Sequence, residues 1–141
     1  MRGEHDILSV PVFRLDNPTI TVHSPDISEP DHFYPVGRSL IDSLHAHVER
    51  VVGLIQQGEA MASTIRPGDL VLVNREMNSL SVEGIYAVAF GPLISLRRMV
   101  PGASGPRLVT DNPAYRSEDI AAHQVDDLTV LGRVVWRAGQ I

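Results

Sequence analysis

The sequence predicts a mainly β domain, a sandwich or partly open barrel of short strands, with one helix near its N-terminus and a proline-rich arm ahead of that helix. Three observations lead there. From residue 51 onward the apolar residues fall in short runs, separated by turn signals such as Arg66-Pro67-Gly68-Asp69, Gly91-Pro92, Pro101-Gly102 and Asp111-Asn112-Pro113. Only one stretch carries a helical period. The 141 residues, 43% of them apolar, fit one domain able to bury a core without staples.

Taken in order, residues 1–36 hold five prolines, Pro11, Pro18, Pro25, Pro30 and Pro35. Proline lacks an amide donor and disfavours helix in the residue before it, so this segment reads as an extended arm with one short strand over 7–13. A helix follows: Ser39 is placed to cap it, Asp42 falls in its first turn, and Leu40, Ile41, Leu44 and Val48 share a face that ends near Arg50. Strands are then expected over 51–55, 70–73, 84–90, 93–99, 107–110 and 128–136. The organisation is thus an arm over 1–36 and one domain over 37–141, with no internal repeat and no low-complexity tract.

Two absences restrict the chemistry. There is no cysteine, which excludes disulfides, thiolate-ligated metals and a thiol nucleophile. There is no lysine either, since all twelve basic residues are arginines. A Schiff base and a neutral amine base are therefore excluded, and arginine cannot replace them because it keeps its proton. The formal net charge is −5 and the arginines are scattered among acids, so no phosphate-gripping face is expected. No apolar stretch is long enough to span a bilayer and no apolar signal region follows the charged first residues. The expectation is a cytoplasmic protein with no cofactor, no metal and no membrane association.

The stretch Gly58-Glu59-Ala60-Met61-Ala62-Ser63-Thr64-Ile65-Arg66-Pro67-Gly68-Asp69, followed by the apolar Leu70-Val71-Leu72-Val73, resembles the nucleophile motif of the LexA and phage-repressor (S24) peptidases, Gly-Asp-Ser-Met-x-Pro-Thr-Ile-x-x-Gly-Asp and an apolar strand. Gly84-Ile85-Tyr86-Ala87-Val88 resembles the family's next strand. Ile94-Ser95-Leu96-Arg97-Arg98-Met99 resembles the strand ending in Val-Lys-Arg-Leu. Thr110-Asp111-Asn112-Pro113-Ala114-Tyr115 and Leu131-Gly132-Arg133-Val134-Val135-Trp136 resemble the closing segments of phage repressors. The resemblance covers roughly residues 51–137 and implies the LexA/signal-peptidase fold.

In that family a serine attacks a peptide bond of its own chain while a buried neutral lysine takes its proton. A hydroxyl needs such a base, and lysine serves only when burial lowers its pKa. The resemblance puts the serine position at Ala60, which has no nucleophilic atom, and the lysine position at Arg97, a permanent cation; Leu96 and Arg98, one register away, are no better as bases. Family members cut at Ala-Gly or Cys-Gly, and residues 1–57 contain neither; the sole Ala-Gly is Ala138-Gly139. Glu59 stands for the usual aspartate and Ser63 for the usual proline. Ser63 as a displaced nucleophile has no evident base, and a turn hydrogen-bonding role accounts for it.

Other groupings have plainer explanations. His45 and His47, two apart on the expected helix, point in different directions and make a poor chelate, so both read as solvated. Ser9, His23 and Asp26 form a triad on paper only, at arbitrary spacing. The Arg97 guanidinium is expected to bond carbonyls or a carboxylate such as Glu59, because a buried cation needs a partner; an anion site in a vestigial cleft is the functional counterpart. The Asp111-Asn112-Pro113 stretch reads as a turn whose side chains bond the local backbone. The 130–136 run reads as core and sheet edge, and as an interface second.

The function this resemblance implies is a catalytically inactive LexA-like domain, a homodimerising regulatory module of transcriptional repression. DNA would be gripped only through a helix-turn-helix domain, which this chain does not display. Relief of repression would then require a protein partner: an antirepressor, a RecA-like protein or a full-length repressor. A UmuD-like accessory protein of the SOS and translesion response is the alternative. A third reading is a serine autopeptidase in which Ala60 is an engineered replacement.

Overall fold

In the computed structural model, which describes residues 6–15 and 30–139, the short apolar runs become strands of one mixed sheet. They are β1 (Ile7–Arg14), β2 (His32–Gly37), β3 (Val51–Ile55), β4 (Leu70–Asn74), β5 (Gly84–Phe90), β6 (Leu93–Gly102), β7 (Gly105–Val109), β8 (Ile120–Ala121) and β9 (Leu128–Ala138). The order across the sheet is β2-β1-β3-β4-β9-β5-β6-β7-β8. All described pairings are antiparallel except β1 with β3. The mainly β class is therefore what the sequence predicts. Among the described residues no helix is long and apolar enough to cross a membrane.

The near-continuous apolar strands follow from burial on both faces, where successive side chains must each enter a core. In β4, Val71 and Val73 enter a central core, while Leu72 enters a second one behind the sheet. In β5, Ala87 and Ala89 join the central core, whereas Tyr86 and Val88 join a third. The central core also takes Phe13 of β1, Val52 and Leu54 of β3, and Ile94 and Leu96 of β6. The sheet curls around it, so Leu15 beyond β1 and Ile94 of β6 line one cleft although four strands lie between β1 and β6.

Strand β9 joins the two halves. Residues Leu128 to Arg133 pair with β5, and Arg133 to Ala138 pair with β4, so Arg133 is in register with Tyr86 on one side and Asn74 on the other. Gly132 sits at this change of partner, where a Cβ would run into the Asn74 backbone. Among the stretches of strand edge left open by the described pairings are one on β6 and one on β9. Strand β7 pairs only with Arg98 to Gly102 of β6, leaving Leu93 to Arg97 uncovered on that side. Beyond Arg133, β9 has no partner on its β5 side.

The helix is shorter than its periodicity suggests. Helix α1 spans Arg38–Ser43, with Gly37 rather than Ser39 as its N-cap, no side-chain cap bond and no acid in its first turn. Strand β2 runs directly into it, so the helix starts ahead of Ser39, which falls inside its first turn. It ends early because His45 takes a left-handed φ of 55°. A 3-10 turn at Val48–Arg50 then leads into β3. Leu40, Ile41, Leu44, Ala46 and Val48 still share the second core with Val10, Val36 and Trp136. The apolar spacing thus reports a common core, reached by a bent path. Of the proline-rich segment, residues 7–14 and 32–37 belong to the sheet as β1 and β2, the latter crossing the expected boundary at 36/37. Residues 1–5 and 16–29 lie outside the described residues.

Candidate functional site: a cleft along the open edge of strand β6

The loop from Gly58 to Asp69 is shaped by its own residues. Met61 (0% exposed) and Ile65 (1%) plug the central core, and the Ile65 amide donates to the Met61 carbonyl at 2.9 Å. The Arg66-Pro67-Gly68-Asp69 turn closes the loop: Gly68 takes φ +90°, a conformation that favours glycine. The buried Asp69 carboxylate accepts the Arg66 amide at 2.9 Å. Gln56, buried after β3, donates its amide to the Asp69 carbonyl and accepts the Gly68 amide. The effect is to present Ala60 at the cleft while its neighbours are locked. The Ala62–Ser63 peptide is cis, and Ser63 is exposed.

A second segment clamps this loop. Asn112 donates its side-chain amide to the Glu59 carbonyl at 2.9 Å and its backbone amide to the Ala60 carbonyl at 3.0 Å. Its side-chain oxygen accepts the Ala114 amide, capping a 3-10 turn over Pro113–Glu118. The adjacent Asp111 carboxylate takes two bonds from Arg98, at 2.7 and 2.8 Å. Hydrogen bonding from Arg98 outweighs burial and holds the Asp111 carboxyl below its ordinary range, with a further bond from the Thr64 side chain. Asn112 does bond the local backbone, as a turn residue should. Asp111 does not: its partner is Arg98, on β6.

Ala60 and Arg97 line one cavity of about 280 Å³, together with Leu15, Leu93, Ile94 and Tyr115. Arg97 is 9% exposed. Its Nη1 donates to the Leu96 carbonyl and its Nη2 to Glu118 Oε1, both at 2.8 Å, and its guanidinium carbon lies 5.8 Å from the centre of the Phe90 ring. Burial pushes the guanidinium below its ordinary pKa, and Glu118 opposes this. The carbonyl expected for Arg97 is that of Leu96, and the carboxylate is Glu118 rather than Glu59. Glu59 is exposed, with its carbonyl engaged by Asn112, while the 3-10 turn brings Glu118 to β6. Sequence reasoning does not find Glu118, the pairing role of Asp111 or the Asn112 clamp, because each acts on a residue distant along the chain.

The remaining sequence-derived groupings are dispersed. His45 and His47 are not on a helix, and His47 Nδ1 lies 2.9 Å from Glu76 Oε1. Ser9 is exposed on β1. His23 and Asp26 lie outside the described residues. No group of three or more metal-ligating side chains occurs among the described residues.

A family model described as peptidase S24-like matches residues 14–135. The chain is 27% identical over 89 residues to the 26 kDa repressor protein of Escherichia phage HK022, covering 63% of this chain and 38% of that protein. It is 26% identical over 110 residues to an uncharacterized HTH-type transcriptional regulator of Haemophilus influenzae, covering 77% of this chain and 46% of that one. The chain therefore spans less than half the length of these two relatives. A match over nearly the whole chain, on a curled sheet that sets residues 60 and 97 into one cleft, makes the chain a member of the peptidase S24-like family, of the LexA and phage-repressor type.

Proposed function

We propose that this chain is a non-cleaving S24-like domain, a homodimerising regulatory module of transcriptional repression. The observation that carries this reading is the pair lining the cleft, Ala60 and Arg97. The family resemblance puts the nucleophile at the first and the base at the second. A methyl group cannot attack a carbonyl, and a guanidinium held by Glu118 keeps its proton at working pH. Relief of repression would then come from a protein partner acting on the domain. The relatives named as a repressor and a transcriptional regulator favour this over a UmuD-like accessory role. In this reading DNA is held by a separate helix-turn-helix segment and the protein is cytoplasmic. The uncovered edge of β9 beyond Arg133 supports the dimer, since open edges invite a second chain.

The test is mass spectrometry of Ala60→Ser at neutral and alkaline pH. No cleaved product is expected, because a serine at 60 still lacks a base; a product would overturn the reading. Light scattering at high protein concentration tests the dimer, and a strict monomer would remove that role.

A further inference from the structure

Arg97 and Arg98 are neighbours whose carboxylate pairings differ. Arg98 holds Asp111 in a complete side-on fork, Nε to Oδ1 and Nη2 to Oδ2. Arg97 has half of that fork: Nη2 takes one oxygen of Glu118, while Nε is buried with no hydrogen-bond partner among the described residues. A buried donor left without an acceptor costs free energy, so it favours any acceptor that can reach it. The Nε–Nη2 edge of a guanidinium matches the two oxygens of a carboxylate.

The surroundings suit a chain-like ligand. The cavity runs along Leu93 to Arg97, the part of β6 that β7 leaves uncovered. An open strand edge in a cleft can bind an extended peptide through backbone bonds, with pockets reading its side chains. Leu93 is 69% exposed and, with Ile94 and Leu15, gives the cleft an apolar side. Glu118 is 48% exposed, so water can take over its carboxylate at little cost when it leaves Arg97.

We propose that the cleft receives an extended peptide bearing a carboxylate, which completes the fork on Arg97 Nε and Nη2 and displaces Glu118. This deepens the non-cleaving reading and rests on it: the position expected for the base serves as an acid receptor, and Glu118 is its internal competitor.

The experiment is a two-dimensional NMR titration that follows the Arg97 Nε–H and the amides of residues 93–97. Three capped peptides serve as probes: acetyl-Ala-Leu-Glu-Ala-amide, acetyl-Ala-Leu-Ala with a free C-terminal carboxylate, and the neutral acetyl-Ala-Leu-Gln-Ala-amide. At least one carboxylate peptide is expected to shift the Nε–H, with the neutral peptide binding about tenfold more weakly. Comparing the two acids tells a side-chain carboxylate from a chain terminus. Glu118→Gln is expected to tighten binding, and Arg97→Gln to abolish it. Should Arg97→Gln fail to fold, the wild-type Nε–H shift and the Glu118→Gln comparison still decide. Equal binding of the neutral peptide, weaker binding by Glu118→Gln, or no binding at millimolar peptide by wild type and Glu118→Gln alike would overturn the proposal. Those outcomes leave non-cleavage untouched, whereas a cleaved Ala60→Ser chain would sink non-cleavage without any peptide present.

Discussion

Arg98 grips Asp111 through two parallel bonds, Nε to Oδ1 at 2.7 Å and Nη2 to Oδ2 at 2.8 Å, and so ties β6 to the turn that follows β7. The pair also fixes the entrance to the Asn112 clamp, one residue further on. Asp111→Asn is expected to lower stability by about 2 kcal/mol, the usual range for losing a charge-assisted fork that is partly buried. Because hydrogen bonding from Arg98 depresses the Asp111 pKa in the folded state, its contribution is present above the ordinary carboxylate value. It is lost as pH falls through the depressed one. Urea unfolding over an acidic pH series should show a steeper loss for the wild type than for Asp111→Asn. Parallel curves would refute the assignment.

Asn112 holds both carbonyls that flank the start of the Ala60 loop. Its replacement by alanine removes the bond to Glu59 and the cap on Ala114 but keeps the backbone bond to Ala60. A loss of about 1–2 kcal/mol is expected. Hydrogen exchange should quicken at Ala62 and Ile65, whose amides are bonded within that loop, and stay unchanged in β3 and β4.

His47 Nδ1 and Glu76 Oε1, 2.9 Å apart, join the turn before β3 to the loop after β4. Hydrogen bonding to Glu76 raises the His47 pKa, its charge adding to the effect. With the folded value raised, the contribution is full below the ordinary histidine value and fades as pH rises through the raised one. The ring-proton NMR titration midpoint of His47 should therefore fall in Glu76→Gln. An unchanged midpoint would mean that the pair does not form in solution.

Gly132→Ala tests the point where β9 changes partner. The new methyl group would strike the Asn74 carbonyl, a backbone atom that cannot swing aside. Overpacking of this kind costs about 1–3 kcal/mol. Chemical denaturation should register that loss, and an unaltered midpoint would show that β4 and β9 are less tightly apposed than described.

The strand runs were legible because two-sided burial leaves little room for polar residues in β3, β4 and β5. What the sequence hid were choices made between distant residues. Leu44 and Val48 kept a helical spacing, yet His45 bends the chain between them and the same core receives them from a turn. The strand expected over 7–13 is present as β1 with Pro11 inside it, whereas the β2 strand around Pro35 carries no strand signal of its own; both prolines sit at the β2 side of the sheet, where a missing amide is tolerated. Ala60 and Arg97 could be singled out by resemblance, whereas the choice of Glu118 over Glu59 depended on where the Pro113–Glu118 turn lands. No local pattern encodes that.

Strand β9 carries a consequence for biosynthesis. Among the described residues, the β2-β1-β3-β4 and β5-β6-β7-β8 halves share strand pairing only through it. A ribosome that has not yet released residues 128–138 therefore exposes two unfinished ladders, at β4 and at β5, each able to capture a neighbouring nascent chain. Nonsense mutations ahead of residue 128 should accordingly yield insoluble, rapidly degraded polypeptides rather than shortened but serviceable ones.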